Sequence, residues 1–149
     1  MVQILRVEPS NKDFIALVAL LNADLAARDE EENTFYAQFN SLAVLEYCVV
    51  YYENTIPLGC GALKAFDDES MEIKRMYVCE SSRGKGIASL LLSELEQWTT
   101  ELGYTSCILE TGLRQPEAVA LYIKNNYVRI PKYLPYIDME NSVCFRKEV

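Results

Sequence analysis

Between residues 47 and 102 the chain changes its hydrophobic period once, and a pair of glycines marks the change. Up to residue 78 the apolar residues come in three short runs, 47–52, 58–66 and 71–78, rich in β-branched and aromatic side chains. Runs of this kind are strands. Glu53-Asn54-Thr55-Ile56-Pro57 and Asp67-Asp68-Glu69-Ser70 separate them with turn-forming residues. Three strands joined by short turns make an antiparallel meander. Beyond the loop Arg83-Gly84-Lys85-Gly86-Ile87-Ala88 the apolar residues Ile87, Leu91, Leu95, Trp98 and Leu102 recur at helical spacing. Gly103 then stops the helix as a C-terminal glycine does. The chain therefore passes from strand through glycine loop to helix.

The flanking regions complete a mixed sheet. Residues 3–7 form a first strand. Ser10, three residues before Asp13, resembles a capping arrangement for an amphipathic helix over 11–27, on which Phe14, Leu17, Val18, Leu21 and Leu25 form one face. The acidic run Asp29-Glu30-Glu31-Glu32 precedes a shorter helix near 31–40. Residues 105–111 form a strand, Pro116 opens a helix to about 125, and strands follow at 128–130 and 143–147. The expected fold is α/β (α+β): a mixed, mostly antiparallel sheet of about seven strands flanked by about four helices, in one domain over 1–149.

Composition narrows the chemistry. The 149 residues contain no histidine, which removes His-based triads and His-containing zinc sites. Five cysteines at wide, irregular gaps and without a C-x-x-C pair make neither a disulfide framework nor a zinc site, so no metal is expected. A net charge of −8 disfavours nucleic-acid binding and suits a cationic partner such as an amine. No apolar segment is long enough to span a membrane, and the first residues lack a basic region followed by an apolar core. A cytoplasmic location is expected.

The loop carries the chemistry. Gly84 and Gly86 let the backbone bend and approach a ligand closely. The helix N-terminus behind them presents free N–H groups and the positive end of a dipole, and Arg83 and Lys85 add charge. Such a strand–loop–helix is suited to a pyrophosphate. It is not a Walker loop, and Ser89 stands where a Rossmann fingerprint needs its third glycine.

Residues 72–103 resemble the coenzyme A-binding motif of the GCN5-related N-acetyltransferases, whose pattern is Arg or Gln, two residues, Gly, one residue, then Gly or Ala. Arg83, Gly86 and Ala88 match it. Pro116-Glu117-Ala118-Val119-Ala120-Leu121-Tyr122 resembles the downstream motif centred on Ala-x-x-Leu-Tyr. The usual Gly-Phe ending reads Asn126-Tyr127, and asparagine also tolerates a left-handed turn. The likeness is strong over 58–130 and topological over 1–57.

The resemblance implies an acyl-CoA N-acyltransferase fold and an acetyl-CoA-dependent N-acetyltransferase. The loop amides of Arg83, Gly84, Lys85, Gly86, Ile87 and Ala88 would hold the coenzyme A pyrophosphate. Met76, Tyr77 and Val78 would pair with the pantetheine arm, and their strand would splay from the strand at 107–111, with a β-bulge as the usual device. Gln115 replaces the asparagine that often contacts the cofactor. Tyr122 matches the tyrosine that protonates the leaving thiolate. Glu72 and Glu110 are rival bases for the amine, and Tyr136 with Asp138 would form an acceptor wall. A covalent route through Cys79 lacks a histidine to activate the thiol. The acceptor is a small amine or amino acid. Alternatives are a protein lysine or N-terminal acetyltransferase, or a non-catalytic acyl-CoA-binding sensor. Homodimers are common in the family.

Overall fold

A computed structural model describes residues 1–28 and 47–149. The strands β1 (Val2–Val7), β2 (Tyr47–Glu53), β3 (Ile56–Ala65), β4 (Ser70–Val78), β5 (Ser106–Gly112), β6 (Val128–Ile130) and β7 (Ser142–Glu148) form one sheet in the order β1-β2-β3-β4-β5-β7-β6. Among the described residues there are three α-helices, α1 (Lys12–Arg28), α2 (Ile87–Glu101) and α3 (Pro116–Lys124). The helix expected near 31–40 lies outside the described residues. Every strand pair is antiparallel except β4 with β5.

The alternation of side chains along β2 assigns the two faces. Cys48 and Val50 join Phe14, Leu17 and Val18 of α1 in one apolar cluster, while Val49 and Tyr51 join Leu91 and Leu95 of α2 in the other. The start of α1 differs from expectation. Asn11, not Ser10, caps it, because the Asn11 Oδ1 accepts from the Asp13 and Phe14 amides at 3.0 Å each. Helix α2 ends as read, with Gly103 at φ 91° and Tyr104 N donating to Thr99 O.

Two irregularities position the site. Cys60 pairs with Tyr77 and Ala62 with Lys74, so β4 carries one residue more than β3 between these pairs. This bulge places Arg75 at φ 63° and bends the second half of β4. The parallel ladder between β4 and β5 covers only Ser70–Ser106, Met71–Cys107 and Glu72–Ile108. A hydrogen bond of 2.6 Å between the Ser70 and Ser106 hydroxyls anchors its root. Past Glu72 the strands part: β4 continues along β3 and β5 along β7.

Candidate active site

Two spaces that share lining residues border the gap left by the parting strands. The larger is a cleft of about 330 Å³ between the end of β4, the glycine loop and α3. Met76, Tyr77 and Val78 form one wall, and Arg83, Gly84, Gly86, Ile87 and Ala88 form the end. Lys85 does not line it and is exposed. Gly84 and Gly86 adopt φ of 80° and 83°, which L side chains avoid, and open space lies in front of both. Gly86 is the N-cap of α2 and offers no side-chain acceptor, so the first-turn amides have no cap. The loop can therefore receive an anion through its backbone.

Arg83 is committed elsewhere. Its Nε donates to Val78 O at 2.9 Å, its Nη2 lies 3.7 Å from Asp24 Oδ2, and its guanidinium sits over the Tyr77 ring. It therefore braces the loop against β4 and α1. Asp24 and Leu21 bring α1 to the cleft, a contribution that the sequence analysis missed. Only the tertiary fold brings residues this far apart in the chain together.

The smaller space, about 120 Å³, is lined from both β4 and β5. Glu72, Lys74 and Arg75 reach it from β4, Glu110 from β5, and Tyr136 from the loop before β7. Tyr122 and Gln115 line both spaces and stand at their junction. Asp138 is exposed and lines neither, so of the expected acceptor wall only Tyr136 stands at the site.

Electrostatics distinguish these groups. Burial, and secondarily the charge of Glu110, raise the Tyr122 pKa well above the ordinary phenol range, so its hydroxyl keeps its proton. Glu72 accepts a hydrogen bond from the Tyr133 hydroxyl at 2.9 Å and lies 3.9 Å from the Lys74 ammonium. Desolvation lowers the Lys74 pKa despite that carboxylate. Desolvation also lowers Arg75, to about 10, and among the described residues its Nε and Nη2 have no hydrogen-bond partner. No cluster of three or more His, Cys, Asp or Glu among the described residues is placed to hold a metal. No helix among them is long and apolar enough to cross a membrane.

Comparison with known proteins agrees with this geometry. The family described as "Acetyltransferase (GNAT) family" matches residues 14–127. An IAA acetyltransferase of Azospirillum brasilense is 30% identical over 139 residues, covering 91% of this chain and 90% of the relative. A Klebsiella pneumoniae structure described as an acyl-CoA N-acyltransferase superposes with a TM-score of 0.82 at 28% identity, over 99% of this chain and 97% of its own. A GNAT acetyltransferase of Elizabethkingia anophelis, solved with acetyl-CoA bound, shares the fold at a TM-score of 0.73 and 19% identity, over 99% of this chain and 98% of its own. The splayed strand pair, the glycine loop and a relative matched along almost the whole chain lead to one assignment: this chain belongs to the acetyltransferase (GNAT) family.

Proposed function

We propose that this acetyltransferase moves the acetyl group of acetyl-CoA to a primary amine of a small acceptor. The observation that carries this reading is the junction at Tyr122 between a long cleft ending on the glycine loop and a smaller polar pocket. The cleft suits the donor: backbone amides for the pyrophosphate at the loop, and the β4 edge from Met76 to Val78 for the pantetheine arm. Acetyl-CoA supplies an activated carbonyl there. The pocket takes the amine.

Three tasks then fall to the chain's own residues. The acceptor ammonium must lose a proton, and Glu110 is the base we favour. Its charge acts on Tyr122, the residue proposed as the acid. Tyr122, protonated at neutral pH, gives its proton to the departing sulfur. The small pocket, lined by the buried Glu72, Arg75, Tyr122 and Tyr136, holds the amine in position for attack. Its size favours a small amine over a protein side chain held in an open groove.

A thermal melt with and without acetyl-CoA tests the donor half. A ligand at a hundred times its dissociation constant stabilises by about 2.7 kcal/mol, which raises the melting temperature of a chain this long by roughly 5–10 °C. Gly86→Asp sets a carboxylate where the pyrophosphate binds and should abolish the rise. No rise with the unaltered protein at millimolar acetyl-CoA would falsify the reading.

A further inference from the structure

Arg75 is the least explained residue near the site. It is 5% exposed, it sits at the bulge of β4 at φ 63°, and it lines the smaller pocket but not the cleft. A buried guanidinium is normally paired with a carboxylate, since an unpaired buried charge is costly. Here Nε and Nη2 have no partner among the described residues, and the neighbouring groups that act on the charge are the Cys60 thiol, which burial keeps protonated, and the Tyr136 phenol. The position is doubly unfavourable, because a left-handed backbone suits glycine or asparagine better than arginine.

The pocket as a whole is bipolar. Glu72 and Glu110 supply negative charge, Lys74 and Arg75 positive charge, in one space of about 120 Å³. Glu72 and Lys74 face each other at 3.9 Å, whereas Arg75 Nε and Nη2 have no hydrogen-bond partner among the described residues. The larger cleft has its own loop for an anion, so the donor's phosphates do not account for Arg75. An acceptor ammonium directed to Glu110 would engage that carboxylate and leave Arg75 as the cation of the pocket still to be matched.

We propose that the acceptor carries a carboxylate as well as its amine, and that Arg75 pairs with that carboxylate. The acceptor class is then the free amino acids and related amino-carboxylates, with the amine directed to Glu110 and Tyr122 and the carboxylate to the bulge of β4. Guanidinium and carboxylate match in a two-pronged pair, which orients the amine as well as binding it. Arg75 is thus a specificity-determining residue whose ion pair is completed by substrate. This inference rests on the acetyltransferase reading and narrows its acceptor.

The test compares free L-amino acids with their carboxamides as acceptors, scoring kcat/KM by coenzyme A release and correcting for the fraction of neutral amine. The unaltered protein should prefer the acid over the matched amide by at least about tenfold. Arg75→Asn, which suits the left-handed backbone, should lose that preference by slowing the acids while changing the amides by less than about threefold, and should keep the melting rise with acetyl-CoA. Amides or simple amines used as well as the acids, or a preference that survives in Arg75→Asn, overturns the inference and leaves the acetyltransferase intact. The wild-type ratio decides the matter even where the variant fails to fold. Absence of the melting rise in the unaltered protein removes the acetyltransferase reading, and this inference with it.

Discussion

Tyr122 combines two properties that a leaving-group acid needs. It is held against Tyr127 and Phe145, with ring centroids 5.7 and 6.2 Å away, and burial keeps its hydroxyl protonated. Tyr122→Phe preserves the ring packing and removes only the proton, so kcat should fall about 10- to 100-fold while the melting rise with acetyl-CoA persists. Unchanged turnover in this variant would remove the acid role. Glu110→Gln should lower kcat more than Glu72→Gln does, because the Glu110 charge acts on Tyr122. Tyr122 was legible because it sits in a recurring sequence pattern. Arg75 and Lys74 were not, because nothing in a strand's local sequence says that its charged side chains will be buried.

At the scale of elements, the close approach of α2 to β3 is the feature most exposed to change. A Cβ at Gly61 would lie 2.7 Å from Met76 Sδ and 2.8 Å from Leu95 Cδ1. Met76 lines the cleft and Leu95 is fully buried, so neither yields without consequence. Gly61→Val should therefore destabilise the fold by about 1–3 kcal/mol through overpacking, lowering the melting temperature by roughly 3–10 °C. It should also weaken acetyl-CoA binding by pushing Met76 toward the cleft. A variant that melts at the wild-type temperature would show that α2 can retreat. Helix and strand identities were readable from period alone, since α1, α2 and the meander have strong patterns. The cap of α1 was misassigned by one residue, because Ser10 and Asn11 are both good caps and only the backbone path chooses between them.

The whole molecule keeps its thiols inside. Cys48, Cys60, Cys107 and Cys144 are buried, and Cys79 is half-buried. An aromatic disulfide reagent should react with one thiol in the native protein, Cys79, and with all five after denaturation. Burial pushes Cys48 and Cys60 up to about 12 and Cys107 to about 11, from an ordinary value of 9.0. Between pH 9 and these values the native state holds protons that the unfolded chain has released, so this stability is complete below pH 9 and declines as pH rises. Buried Tyr122, Tyr127 and Tyr133, all raised by burial, act in the same sense at higher pH. Lys74 and Arg75, lowered by burial, oppose it but are fewer. The urea midpoint should be lower at pH 10 than at pH 7. An equal or higher midpoint would mean that the thiols ionise within the fold.

The amino-acid sequence by itself determined the described elements, their order and the glycine loop that ends the cleft. These depend on interactions within one helix, one turn or one loop, and Gly84, Gly86 and the Ala-x-x-Leu-Tyr segment are local patterns of that kind. Tertiary structure decided the rest. It inserted β7 between β5 and β6, ended the β4–β5 ladder at Glu72 and Ile108, and brought Leu21, Arg75, Glu110 and Tyr136 into one pocket. Those outcomes depend on which strand edges find each other and on one extra residue in β4. Neither side-chain period nor turn chemistry encodes them, because the contacts involved join residues tens of positions apart.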